Sequence, residues 1–338
     1  MKKTVCCVLA IILMVCLSAC GGRSEYTDRV IKGADFYVTL RMSSSSLSGD
    51  RLDGSYFDSV GEGCGRLVSK CDKLFVTDDE ASLVYALNNK VDMIMEADES
   101  FCSALGTAVN MATATGGAYS PVMGALKELW ADGEPSADEV SAALEHTGVS
   151  LLEVTPDKIH ITEKGCKLDL DGIKEGFAAQ RLMEYLSAAD VRYGIVSAGD
   201  SVGVFGDKSD GSMFKIGVPS PDDGDVTAAY YSISRGFISV CNCEDDCVID
   251  PADGYPADSG VVQAAVWSNN GAVSDALSEA AVILGEAGTF ELYLDTSVSF
   301  EAVLINDAGE VILTPGITED DFELIDDAYT VRLINKGE

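Results

Sequence analysis

Residue types that chemistry needs concentrate in two stretches, Asp169-Leu-Asp-Gly-Ile-Lys-Glu-Gly-Phe-Ala-Ala-Gln180 and Val248-Ile-Asp-Pro-Ala-Asp-Gly-Tyr-Pro256. In the first, a strand-like run breaks at Gly172 into an amphipathic helix, and the free N–H groups of a helix N-terminus suit an anion. The second ends a strand in a Pro/Gly turn that projects the Asp250 carboxylate. Taken singly, each reads equally well as an ordinary join between elements. A third pattern, Cys241-x-Cys243-x3-Cys247, has a metal-like spacing without paired CxxC knuckles, and the two histidines, His146 and His160, lie far from it. A local disulfide or plain packing fits that pattern better than zinc or iron–sulfur.

The elements that must position these residues alternate without a regular βαβ rhythm, which indicates an α+β fold rather than a doubly wound sheet. A strand is expected at Asp35 to Arg41, and helices at Asp58 to Lys73, Asp79 to Asn89 and Asp98 to Thr113. Ser43 to Ser48 reads as a surface loop, and Ser136-Ala-Asp-Glu139 is a capping box that opens a helix to about His146. After a helix starting near Ile173, strands are expected at Tyr193 to Ser197, Phe214 to Val218, Val261 to Trp267, Phe300 to Ile305 and Glu310 to Leu313. One helix, Val273 to Leu284, interrupts them.

Lys2 and Lys3 precede an apolar run from Val5 to Val15, and Leu17-Ser-Ala-Cys20 follows. This reads as a secretion signal with a lipobox over residues 1–20, a diacylglycerol-bearing Cys20, a tether over 21–30 and one domain over 31–330. The expected location is the outer face of a bacterial cell membrane, held there by the lipid. Seven further cysteines remain, Cys64, Cys71, Cys102, Cys166, Cys241, Cys243 and Cys247. An odd number in an exported chain implies a free thiol or a reducing habitat. The net charge of −33 is spread along the chain, which argues against nucleic acid as a partner and requires a cation, or oriented N–H groups, beside any polyanionic ligand.

Four blocks resemble the ApbE family, the FAD:protein FMN transferases, over essentially the whole mature length. Thr115-Gly-Gly-Ala-Tyr-Ser-Pro121 with Leu129-Trp130 is similar to TGGAFDP…LW, and Asp169 to Gln180 is similar to DLGGIAKGYAAD. Val248 to Pro256 resembles HIIDPRTGYP, and Val273-Ser-Asp-Ala-Leu-Ser-Glu-Ala resembles ADALATA. The resemblance implies an ApbE-like, T-fold-like, two-lobed single domain of mixed sheets flanked by helices. It also implies a reaction: FAD binds with Mg2+ on its pyrophosphate, a Thr or Ser hydroxyl of an exported acceptor protein attacks the phosphorus next to riboflavin, and AMP leaves. By correspondence the metal would be held by Asp275, Glu279 and a backbone carbonyl near Gly172. Asp275 and Glu279 are spaced i,i+4 and share a helix face, although spacing alone would equally describe two solvated acids. The FAD contacts would be Ala118, Tyr119, Ser120, Asp169 and Glu175, with Asp78 where an aromatic would flank the nucleotide.

Catalysis would fall to Cys247, in the place of the family's His, and to Asp250. Acidic neighbours Glu244, Asp245 and Asp246 favour the thiol form of Cys247. Other departures are Tyr119-Ser120 for Phe-Asp, Glu279 for Thr, Gln180 for Asp, Ala34-Asp-Phe36 for MGT, Ser197-Ala-Gly-Asp200 for N-x-G-G and Ser234-Arg-Gly236 for T-S-G. The leading expectation is the transferase. Its alternatives are a catalytically degenerate FAD- or nucleotide-binding lipoprotein of the same fold and a scaffolding lipoprotein without a small-molecule site.

Overall fold

A computed structural model describes residues 26–32, 37–43, 54–77, 79–89, 94–208, 210–243, 248–295 and 297–334. The leader, Cys20, Ala34 to Phe36, Asp78 and Cys247 lie outside these residues. The described strands are β1 Tyr26–Lys32, β2 Tyr37–Ser43, β3 Ile94–Glu96, β4 Leu152–Val154, β5 Lys158–Ile161, β6 Gly194–Ala198, β7 Ser201–Phe205 and β8 Phe214–Pro219. They continue with β9 Thr227–Ile233, β10 Gly236–Asn242, β11 Val261–Ser268, β12 Glu301–Asn306, β13 Glu310–Leu313, β14 Phe322–Leu324 and β15 Thr330–Leu333. The described helices are α1 Gly54–Phe75, α2 Leu83–Asn89, α3 Glu99–Ala114, α4 Gly124–Ala131, α5 Ala137–Leu144, α6 Asp171–Ala188 and α7 Gly271–Leu294. This is the expected α+β class. β1 takes in residues that the sequence assigns to the tether.

A nine-stranded sheet in the order β1-β2-β6-β7-β10-β11-β12-β13-β15 organises the domain, with a three-stranded sheet β14-β9-β8 and another, β3-β5-β4. Within the large sheet only β13 and β15 run parallel. Side chains alternate faces along a strand, and here both faces are buried: Ala264 and Val266 of β11 pack with α6 and α7, while Ala265 between them packs towards β8 and β9. The strands β7 and β10 escape sequence reading because covered faces erase the polar alternation that marks a half-buried strand.

Several expected boundaries shift for local reasons. Asp79 and Ser82 form a turn, with Asp79 Oδ1 accepting from Ala81 N–H and Ser82 Oγ accepting from Val84 N–H, so the helix begins at Leu83 rather than Asp79. The run before Gly172 is not a strand but an extended segment, clamped where Asn88 Nδ2 donates to Leu168 O at 2.9 Å and Leu168 N–H donates to Asn88 Oδ1 at 2.7 Å. Val248-Ile249 likewise forms no strand, only a single bridge from Ile249 to Pro256. The helix expected to stop at Leu284 resumes after Gly285, whose φ of 66° breaks it locally, and runs to Leu294. The capping box at Ser136 and Glu139 is present as read.

Two glycines set the crossing of α6 and α7. A Cβ on Gly176 would lie 2.0 Å from Gly271 O, and one on Gly271 would lie 2.1 Å from Gly176 O. Only hydrogen at both positions lets the helices touch backbone to backbone.

Candidate active site

The turn that ends α3 builds the first wall. Thr115 Oγ1 donates to Met111 O and accepts from Tyr119 N–H, while Gly116 and Gly117, at φ 64° and 93°, close the helix with Gly117 N–H on Ala112 O. Two successive positive φ values favour glycine and satisfy the helix's last carbonyls. The chain thereby turns inward, burying Ala118, Tyr119 and Ser120. It then runs beside the segment leading to α6: Asp169 N–H donates to Pro121 O at 3.0 Å and Gly124 N–H donates to Lys167 O at 3.0 Å.

At the start of α6, Asp169 meets Lys127 of α4, Nζ to Oδ1 at 2.9 Å. Burial works to lower the Lys127 pKa, but Asp169, Glu279 and Asp171 outweigh it and hold the ammonium form. Asp169 Oδ1 also accepts from Asp171 N–H, which caps the first turn.

One helical turn further on, Asp275 Oδ2 accepts from Gly176 N–H at 3.0 Å across the helix crossing. Burial, then repulsion from Glu279 and Asp200, pushes the Asp275 carboxyl up to about 7. Glu279 lies on the same face of α7. A Cβ on Gly172 would come within 2.3 Å of Glu279 Oε2 and 2.9 Å of Tyr119 Cε2, so Gly172, Tyr119 and Glu279 share one contact. Tyr119 is 1% exposed, and its Oη has no hydrogen-bond partner among the described residues. An unsatisfied buried hydroxyl costs about 1–3 kcal/mol.

Glu175 points to the β6–β7 hairpin, where Asp200 N–H donates to its Oε2. Gly199, at φ 53°, leaves the room that the carboxylate fills. Burial, Asp200 and Asp275 push the Glu175 carboxyl well above the usual carboxylate range. Asp250 stands apart from this group: its Oδ1 accepts from Ala252 N–H at 2.8 Å, and Trp130 Nε1 of α4 donates to Gly254 O in the same turn. The helix that supplies Lys127 therefore also carries the Asp250 turn.

Ala118, Tyr119, Ser120, Asp169, Gly172, Glu175, Asp275 and Glu279 thus line the segments meeting at the α6–α7 crossing, with Asp250 reaching it through α4. Sequence reading misses Lys127, Gly176 and Gly271. Gly172 and Gly176, four apart on one helix face, were the available signal for a close approach; no sequence pattern marks Lys127. Among the described residues no group of three or more His, Cys, Asp or Glu side chains is arranged to hold a metal. A pair of carboxylates, Asp275 and Glu279, is what the site offers.

Comparison with known proteins identifies the family and the fold. The FAD:protein FMN transferase of Treponema pallidum is 24% identical over 222 residues, 56% of this chain and 60% of that protein. Its counterpart in Rhodobacter capsulatus is 28% identical over 244 residues, 65% of this chain and 45% of that protein. The chain therefore spans 45–60% of the length of these two curated relatives. The crystal structure of the ApbE protein of Thermotoga maritima superposes with a TM-score of 0.72 at 25% identity, covering 83% of this chain and 94% of that one. The flavin transferase ApbE of Vibrio cholerae has the same fold, with a TM-score of 0.73 at 18% identity over 89% of this chain and 96% of that one. The ApbE family model matches residues 37–304, most of the described domain, and the chain belongs to the ApbE family.

Proposed function

We propose that this chain is an FAD:protein FMN transferase that moves FMN from FAD to a Thr or Ser hydroxyl of an exported protein, with Mg2+ assistance and release of AMP. The observation that carries this reading is the pair of carboxylates, Asp275 and Glu279, that repel each other beside Gly172 at the helix crossing. Two acids held this way fit a divalent cation, since hard oxygen donors are what magnesium takes and a cation removes the repulsion. Asp275, Glu279 and a carbonyl near Gly172 would hold it, and phosphate oxygens and water would complete its shell. When bound, the ion supplies neutralisation of charge on the departing phosphate.

The chain's own residues do the rest. Gly176 N–H fixes one Asp275 oxygen and leaves the other for the site. Lys127 neutralises Asp169, so that this carboxylate adds no net repulsion towards a pyrophosphate. Ala118, Tyr119 and Ser120 form a buried wall whose backbone is fixed before ligand arrives. The proton of the attacking hydroxyl would pass to Cys247 or Asp250. If Cys247 is the base, Cys247→Ser slows transfer by about 10²-fold or more and Cys247→His retains it; unchanged transfer in Cys247→Ala assigns the proton to Asp250.

The outer face of the membrane, with Cys20 lipidated, remains the proposed location. No helix among the described residues is long and apolar enough to cross a membrane; the diacylglycerol on Cys20 would provide the anchor. Cys20→Ala should release the protein from the membrane fraction. The second reading, FAD binding without transfer, is favoured by the replacement of the family's His by Cys247. One experiment separates the two: purified mature protein, FAD, Mg2+ and an FMN-acceptor domain are incubated and the acceptor is weighed by mass spectrometry. An FMN-sized increase with equimolar AMP supports transfer, whereas retained FAD with no mass increase supports binding alone.

A further inference from the structure

Tyr119 presents a hydroxyl that the packing does not use. Its ring fills space a phenylalanine would fill equally, yet the residue is 1% exposed and its Oη has no partner among the described residues. We propose that Tyr119 is a positioning residue for Glu279, its hydroxyl being the donor to which the Glu279 carboxylate binds when that carboxylate takes a divalent cation. The inference rests on the cation-site reading of Asp275 and Glu279 and names the group that aims one of its two acids.

Geometry supports the pairing. Glu279 Oε2 and Tyr119 Cε2 both lie against the Cα of Gly172, where a Cβ would meet them at 2.3 and 2.9 Å. Glu279 is also the foremost of the charges acting on the phenol, ahead of Asp169, Asp275 and Asp171. A neutral phenol offers one O–H donor, and a carboxylate is its strongest available acceptor; a hydrogen bond to an ionised group is about twice as strong as one between neutral groups. Because Oη is shut off from solvent in this state, a ligand cannot meet it without displacing the ring. The hydroxyl therefore acts through Glu279 rather than on FAD. The fold brings the two side chains into one contact at Gly172.

The test uses the full mature chain and Mn2+ alone, without FAD. Free Mn2+ is followed by electron paramagnetic resonance for wild type, Tyr119→Phe, Glu279→Gln and the double variant. The expected result is about tenfold weaker Mn2+ binding in Tyr119→Phe, equivalent to about 1.4 kcal/mol, with the double variant no weaker than Glu279→Gln. Such non-additivity is the signature of two groups acting as one, and a structural role for the ring would not produce it because phenylalanine preserves the ring. Wild-type affinity in Tyr119→Phe, additive losses in the double variant, or no Mn2+ binding by wild type would each overturn the proposal. Failure of FMN transfer with this cycle intact would overturn the transferase reading and leave the Tyr119–Glu279 pair standing.

Discussion

The segment from Asp169 to Gly176 has two ends that treat carboxylates in opposite ways. At the first, Asp169 meets the Lys127 ammonium at 2.9 Å, in a pair whose side chains are 13% and 29% exposed. At the second, Asp275 meets a backbone N–H, with Glu279 and Asp200 adding repulsion, and its carboxyl is pushed up to about 7. Glu175 beside it is also raised, by burial and then by Asp200 and Asp275. The first end is a finished structural joint, complete without a ligand. The second gathers buried acids whose mutual repulsion and burial outweigh the Gly176 N–H and Lys174 in raising Asp275, together with an orphan phenol, and this is the pattern expected where a cation and its ligand complete the structure.

Steric substitution breaks the comparison most severely. Gly176→Ala drives a methyl to 2.0 Å from Gly271 O, and backbone cannot yield as a side chain would. A loss of about 3 kcal/mol or more in unfolding free energy is expected, read by urea denaturation. Lys127→Met tests the finished end. It leaves Asp169 half-buried without its cation and should cost about 2 kcal/mol by the same measurement, and the unneutralised Asp169 should also weaken FAD binding in excess Mg2+.

The second end responds to pH instead. In the unfolded chain the Asp275 carboxyl releases its proton near its ordinary value of about 4, whereas the folded protein holds that proton up to about 7. Between these values the folded state binds more protons, so this group's contribution makes stability fall as pH rises through the window. Glu175 acts in the same direction. Asp275→Asn should therefore raise the Tm of the ligand-free protein by about 3 °C at pH 7.5 and leave it nearly unchanged at pH 4, as read by calorimetry. A lower Tm at pH 7.5 would mean that the carboxylate is already compensated.

The two ends were also unequally legible. Asp169, Gly172, Glu175, Asp275 and Glu279 can be picked out only because the contiguous segments that hold them resemble ApbE family segments; spacing alone leaves each an ordinary turn or a solvated acid. Their partners cannot be picked out. Lys127 lies on α4 and Asp169 just before α6, and the antiparallel run of residues 121–124 beside 167–169 brings them together. Strands with one polar face, such as β8 with its exposed Lys215, announce themselves by alternation. β7, buried throughout its length and interrupted by Gly203, does not. The stop read at Leu284 was a correct response to Gly285, since local sequence marks the break but not the resumption of the helix, which depends on packing by residues such as Thr289 and Leu292.

The central claim is that the mutually repelling carboxylates Asp275 and Glu279 at the α6–α7 crossing complete an FAD site by taking a divalent cation. FAD titrated into mature wild type and Asp275→Asn, each in Mg2+ and in EDTA and followed by flavin fluorescence, tests it directly. The account predicts that Mg2+ tightens FAD binding by at least about tenfold in wild type, equivalent to about 1.4 kcal/mol, and has no effect on Asp275→Asn. Equal FAD affinity in Mg2+ and EDTA for wild type, or an undiminished Mg2+ effect in Asp275→Asn, would contradict it.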